Sequence, residues 1–281
     1  MRPTLISFGF LEIHAYTAAM AIAVVTGVLL AVRANYRQDR PLPVTPVIGI
    51  WIFLGGLIGA RIYWILQYDT VLHLYRAIFF WQGGLVFYGG LMGGVAGGFV
   101  YAKWNKVPVL PACDLAFVYL PLAHAIARIG CFLNGCCWGS PTNMPWGVRF
   151  PHNAFNGPYF HQMNAGLISN TSSQSLPIHP VQLYEAAGLF MLFVLLRALY
   201  TKSQTQGTIF ALYFTLYGAL RLFVESFRGD SARSLWGFFT ASQAIGAILI
   251  LFGLAFLLFS RLKLSQDAYH VVSPNRSESR E

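Results

Sequence analysis

Arg128 closes an apolar run, Val109 to Ala127, and three cysteines, Cys131, Cys136 and Cys137, follow it within ten residues. A second set of charges recurs further along: Tyr217, Arg221, Glu225 and Arg228 stand at i, i+4, i+8 and i+11, the spacing of one helix face. His124 and Arg128 are i, i+4, and Gln182 and Glu185 are i, i+3. Arginines in apolar surroundings need anionic partners. Glu185 and Glu225 balance part of this charge, and the remainder is positive. A positive surplus suits a phosphate, whose oxygens the guanidinium fork binds in pairs. The cysteines admit several chemistries. Their C-x4-C-C spacing lacks the second pair of a zinc site, so the metal signal is weak. Cys131 could pair with Cys136 or Cys137 as a disulfide, or a thiol beside Arg128 could be activated as a nucleophile. They could equally be small half-buried residues in a tight turn.

The elements that position these groups follow from composition. Of 281 residues, 56% are hydrophobic and 10% are charged, far fewer charges than a soluble domain carries. The chain is therefore read as an all-α, polytopic membrane protein. The net charge of +9 comes from basic residues scattered singly between apolar runs. That pattern excludes a nucleic-acid-binding face and fits loop ends beside anionic lipid. A span needs roughly 20 apolar residues. About seven segments qualify: Ile13 to Val32, Val44 to Leu66, Phe79 to Ala102, Val109 to Gly130, Val181 to Tyr200, Gly207 to Phe227 and Gly237 to Phe259. The first lacks a cleavage site and is read as a retained helix. The organisation expected is transmembrane helices one to four over 1–130, a small outer head segment over 131–178, helices five to seven over 179–262, and a disordered tail over 263–281.

Lys and Arg in the short loops set the orientation. Arg33, Arg37, Arg40, Lys103, Lys106, Arg197, Lys202, Arg261 and Lys263 mark the cytoplasmic side. The N-terminus and the 131–178 segment then face outward and the C-terminus inward. This places Glu12, His14, Tyr16, Arg61, Gln82, Tyr88, His124, Arg128, His179, Gln182, Tyr184, Glu185, Arg221, Glu225 and Arg228 in one outer layer. Ionisable groups within spans are costly and mark function. Together they form a pocket for an anionic lipid of the outer leaflet. In the third span, Gly89, Gly93 and Gly97, with Gly90, Gly94 and Gly98 beside them, form a ridge for close helix packing. Gly83 and Gly84 are candidates for a helix break beside the pocket.

The motifs that carry these residues resemble the prolipoprotein diacylglyceryl transferase family. "HAIARIGCFLNGCCWG" is similar to its signature, and "IHAYT", "LIGARIYWIL", "WQGGLVFYGGLMGG", "HPVQLYEA" and "YGALRLFVESFRGD" resemble its other helix blocks in the same order. The resemblance implies a bacterial inner-membrane enzyme with no metal or cofactor. Its donor is phosphatidylglycerol and its acceptor the lipobox cysteine of a prolipoprotein, and it makes a thioether and glycerol phosphate in the first step of lipoprotein maturation. It further implies that Arg128 binds the lipid phosphate and Arg221 stabilises the departing phosphate. Tyr16, Asn134, Gly139, Glu185, Tyr217 and Glu225 shape the site, together with Arg61, His179, Gln182 and Arg228. Tyr88 stands where the family commonly has His, and a phenol of ordinary pKa is a poor base at neutral pH. It is assigned to orienting the thiol or the phosphate. Cys131 and Cys136 also depart from the better-known signature. A divergent member with another acceptor, a member that binds lipid without transferring it, a lipid or anion transporter, and a membrane thiol oxidoreductase using Cys131, Cys136 and Cys137 are the competing classes. The transporter is disfavoured by the lack of an internal repeat and by polar groups on one side only.

Overall fold

The computed structural model describes residues 4–8, 11–68, 86–152, 157–202, 205–230 and 240–272. Two short antiparallel strands, β1 (Thr4–Phe8) and β2 (Leu11–His14), precede eight helices among the described residues. These are α1 (Ala15–Tyr36), α2 (Val47–Tyr68), α3 (Phe87–Trp104), α4 (Val109–Asn134), α5 (Pro158–Asn164), α6 (Val181–Tyr200), α7 (Thr208–Glu225) and α8 (Ala241–Val272). Six helices are long and apolar enough to cross a membrane: α1, α2, α4, α6, α7 and the Ala241–Ser260 part of α8. The glycine-rich α3 is a further 18-residue helix. The protein is a polytopic membrane protein.

Several boundaries move. Glu12 and His14 lie on β2, not on the first helix, because the hairpin register pairs Ser7 with Glu12 and Thr4 with His14. Of the third segment the described helix, α3, runs from Phe87; Gln82, Gly83, Gly84 and Arg76 lie outside the described residues. The fourth helix runs on to Asn134, since Phe132 and Leu133 prolong its apolar face. Gly135 then ends it with a φ of 82°, and the Gly135 and Cys136 amides both return to the Cys131 carbonyl, at 3.0 and 3.3 Å. This is a glycine C-terminal stop. The sixth span ends at Glu225, so Arg228 lies beyond the helix. The helix face drawn through Tyr217, Arg221, Glu225 and Arg228 therefore holds only as far as Glu225.

The chain divides into two compact units. The unit formed by residues 24–116 is organised by glycine. Gly93 faces the Gly55 carbonyl, Gly89 the Gly59 carbonyl and Gly97 the Trp51 carbonyl, so α2 and α3 meet backbone to backbone. The glycine ridge is thus a packing device, as small residues in membrane helices generally are. Val32, Val44, Tyr101, Ala102 and Val107 form a core beside it. The buried Asn35 side chain ties down the chain at Leu42, donating to its carbonyl at 2.8 Å and accepting from its amide at 2.9 Å.

The other unit, residues 1–23 and 117–281, carries the start of α1, most of α4 and α5 to α8. α7 and α8 cross where Gly218 meets the Gly246 carbonyl, and a Cβ there would lie 2.6 Å from that oxygen. Phe117, Phe210, Tyr213, Phe214 and Phe252 interlock through edge-on and tilted ring contacts. Between α4 and α6, residues 135–180 build their own small core from Trp138, Phe150 and Ile178. Isolated bridges join Pro141 and Val148 to Ile178 and Pro151 to Gln174. The buried Gln162 of α5 accepts from the Leu176 amide at 2.7 Å. A long polar segment between helices is thereby folded into a compact head.

Candidate functional site

Glu185 is the centre of the site. It lies one turn into α6, is 1% exposed, and takes a guanidinium on each side. Arg128 of α4 brings Nη2 to 3.0 Å from Oε1. Arg221 of α7 holds Nη1 at 3.8 Å from Oε2. Arg221 also pairs with Glu225 at 3.0 Å, one turn along the same helix, and donates to Ser242 Oγ on α8 at 2.7 Å. Glu225 reaches Arg228 at 3.7 Å and accepts from Thr240 Oγ1 at 2.7 Å. Arg228 closes the chain of charges on Asp230 with Nε and Nη2 bonds of 3.0 and 2.9 Å, one to each carboxylate oxygen. Such paired bonds are the strong form of arginine–carboxylate contact.

Helix direction explains why these residues meet. Arg128 is near the end of α4, Glu185 near the start of α6, Arg221 and Glu225 near the end of α7, and Ser242 at the start of α8. Successive antiparallel helices bring these ends to one side. Tyr16 occupies the first turn of α1, which packs on the last turns of α4: a Cβ on Gly130 would meet the Ala19 Cβ at 2.5 Å. Tyr217 stacks on Tyr213 at 5.5 Å and faces His124 at the same distance. Arg128 Nε donates to His124 Nε2 at 3.2 Å.

The charge balance corrects the sequence reading. Arg128, Arg221 and Arg228 face Glu185, Glu225 and Asp230, so this network is balanced rather than positive. Asp230 was missed because it falls outside the spans, and Thr240 and Ser242 because a single hydroxyl at the start of an apolar span carries no periodic signal. The Asp in "FRGD" was the available hint. One specific donor makes no hydrogen bond: Arg221 Nη1 is buried and has only the 3.8 Å ion pair with Glu185. A buried unsatisfied donor is costly, and an anionic oxygen would satisfy it.

The loop residues act mainly by placing the others. Gly139 lies where three stretches of backbone cross. It forms an isolated bridge with Arg228, while the Ser140 amide donates to the Phe227 carbonyl at 2.8 Å and the His179 amide donates to the Ser140 carbonyl at 3.0 Å. A Cβ at Gly139 would lie 2.8 Å from the His179 Cβ and 2.9 Å from the Phe227 carbonyl oxygen. His179 pairs through Nδ1 with the Tyr184 hydroxyl at 3.2 Å, and Trp146 donates to the same hydroxyl at 2.7 Å. Gln182, also buried, donates to the Cys136 carbonyl at 2.7 Å. We therefore expect Gly139→Ala to destabilise the head by about 1–3 kcal/mol or more, since backbone cannot yield to the added methyl. Thermal unfolding of the variant in detergent, against wild type, checks this, and an unchanged midpoint would contradict it.

The cysteines converge. The sulfurs of Cys131, Cys136 and Cys137 all lie within 4.8 Å of one another, and Asn134 hydrogen-bonds the Cys136 thiol. All are free thiols. The Cys137 thiol is pulled well below its ordinary value by hydrogen bonds from Cys131 and Cys136, helped by the charges of Arg128 and Arg228. Cys136 is pulled down by its bond with Cys131, but its bond with Cys137 and burial outweigh this and raise it.

Arg61 and Tyr88 belong to the other unit. Arg61 is buried on α2 with its guanidinium 4.8 Å over the Trp64 ring, a cation–π contact. Tyr88, at the start of α3, is 58% exposed.

Apolar helices whose neighbouring ends carry a buried network of arginines and carboxylates define a polytopic membrane protein with a charged site at one end of its helices. The model of the prolipoprotein diacylglyceryl transferase family matches residues 3–259. The chain is 32% identical to the phosphatidylglycerol–prolipoprotein diacylglyceryl transferase of Trichormus variabilis, over 98% of this chain and 95% of that protein. The enzyme of the same name from Methylococcus capsulatus is 30% identical over 91% and 94%, and that from Clostridium tetani 29% over 90% and 96%. The chain belongs to the prolipoprotein diacylglyceryl transferase family.

Proposed function

We propose that this protein transfers the diacylglyceryl group of phosphatidylglycerol to the lipobox cysteine thiol of a prolipoprotein. The observation that carries the reading is the pair Arg128 and Arg221, from different helices, held on the single carboxylate of Glu185 with one buried Arg221 donor unfilled. The thiol sulfur attacks the glyceryl carbon that bears the phosphate ester. A carbon–sulfur bond forms, the carbon–oxygen bond breaks, and glycerol phosphate leaves. The thiol proton ends on the departing phosphate, so the sum of the step needs no external base. The demand on the protein is alignment of sulfur with carbon and neutralisation of the leaving group. In this reading Arg128 binds the phosphate and Arg221 takes the charge that develops as it departs. Glu225, Arg228, Tyr217 and Tyr16 hold these groups in place, with Asn134, Gly139, His179 and Gln182 shaping the roof. Arg61 and Tyr88 are assigned the roles the family motifs imply, Tyr88 that of orienting thiol or phosphate.

The reaction takes place at the outer face of the bacterial inner membrane, with residues 131–178 forming the periplasmic head. The loop-charge bias supports this side. A reporter inserted after Gly166, whose surroundings are open, is expected to be active only outside. One fused after Leu264 is expected to be active only in the cytoplasm, and the reverse pattern would overturn the orientation. The reaction itself is tested by incubating the purified protein with labelled phosphatidylglycerol and a lipobox peptide. Mass spectrometry should show a diacylglyceryl thioether on the peptide cysteine together with free glycerol phosphate. Lipid binding without thioether would leave the protein a binder rather than a transferase.

A further inference from the structure

Three thiols facing one point serve no evident purpose in the transfer step, whose nucleophile comes from the acceptor. We propose that Cys131, Cys136 and Cys137 form a metal site for a thiophilic divalent cation of the zinc type, with three sulfur ligands and an open fourth position. The sulfurs already lie within 4.8 Å of one another. A tetrahedral thiolate site holds each sulfur about 2.3 Å from the metal, hence sulfurs roughly 3.8 Å apart, so closure needs a contraction of about 1 Å that side-chain rotation supplies.

The backbone is built to aim them. Cys131 sits on the last turn of α4, Gly135 stops the helix with φ 82°, and Cys137 is held at φ 58°. That left-handed conformation is unusual for a side-chain-bearing residue and is accepted at a cost. It turns Cys137 back toward the helix end. Gln182, buried on α6, grips the Cys136 carbonyl at 2.7 Å, and its own Oε1 makes no hydrogen bond. This leaves an unfilled acceptor on the amide that holds the turn, suited to a proton-bearing ligand at the fourth position. A disulfide would use two of the three sulfurs and leave the third without a role. Binding converts three thiols to thiolates, releases three protons, and leaves the metal centre with one net negative charge. Arg128 stands one helical turn before Cys131, at i and i+3, as its counter-ion. The site holds whether or not the transfer reading does.

The test uses the full-length protein in detergent, reduced and stripped with a chelator, then titrated with cobalt(II). One equivalent should produce thiolate-to-cobalt charge-transfer absorption in the near ultraviolet and the intense visible bands of a tetrahedral centre, and zinc should displace both. Cys131→Ser, Cys136→Ser and Cys137→Ser should each lose most of the charge-transfer intensity, whereas Cys113→Ser should keep it. As a measurement that needs no variant, zinc should protect all three cysteines of the wild-type protein from alkylation, read by peptide mass spectrometry. Absence of the charge-transfer band with all three thiols reduced, a band that survives Cys137→Ser, or a disulfide between two of the three in the protein as isolated would each overturn the site. Transfer activity is assayed separately, so its loss and the loss of metal binding remain distinct.

Discussion

Replacing Glu185 with glutamine is expected to cut transfer by orders of magnitude and to lower the unfolding midpoint together. Glu185 is 1% exposed and is the one carboxylate that Arg128 and Arg221 share. Removing its charge leaves two guanidinium groups from different helices with their mutual repulsion uncompensated. Breaking a buried ion pair by deleting one partner typically costs about 3–5 kcal/mol. Expressed in the rate, at about 1.4 kcal/mol per decade, that is a fall of roughly two to nearly four orders of magnitude. Glu185→Asp keeps the charge but shortens the arm by one methylene, so it cannot reach both arginines; it should restore stability better than rate. A Glu185→Gln protein with wild-type midpoint and wild-type transfer rate would remove Glu185 from the site.

The second large effect concerns the arginines. Arg128→Lys and Arg221→Lys keep the charge and lose the planar fork. Arg221 now engages Glu225, Ser242 and Glu185 through two different nitrogens. An ammonium cannot reproduce that geometry and also meet a phosphate. Loss of a charge-assisted contact to a buried phosphate typically costs roughly 2–5 kcal/mol. Transfer should therefore fall by about 30-fold to several thousand-fold in each variant. Lys103→Arg, in the last turn of α3 and outside the charge network, serves as a control and should change little. Initial rates in detergent with matched protein levels check this. Near-normal rates in either lysine variant would mean that the phosphate is held elsewhere.

The charged residues within helices were legible in the sequence, because helical spacing reports a shared face. Arg221 and Glu225 at i, i+4 do pair, and Arg128 and Glu185 do meet. The pairing between helices rests on one further inference, that alternate helix ends lie on one side. The remainder was not legible, for physical reasons that differ by residue. Asp230 acts beyond the end of α7, where no period operates, and its contact with Arg228 turned an expected positive surplus into a balanced network. Glu12 and His14 sit in a run, Leu11 to Ala15, whose apolar alternation suits a strand as well as a helix. The cysteine cluster depends on a left-handed Cys137, and spacing alone cannot reveal the direction of a side chain. Gly139 resembled a motif glycine, and the structure gives its cause: three backbones cross there with no room for a methyl.

The central claim is that Arg128 and Arg221 act on one phosphate. Single-turnover transfer rates for wild type, Arg128→Lys, Arg221→Lys and the double variant test it most directly. Groups that serve one ligand and share one counter-ion are coupled, so their losses do not add. A shared phosphate predicts that the double variant loses far less than the product of the two single losses. Losses that multiply cleanly, with unfolding midpoints unchanged, would show that the two arginines act independently and would contradict the clamp.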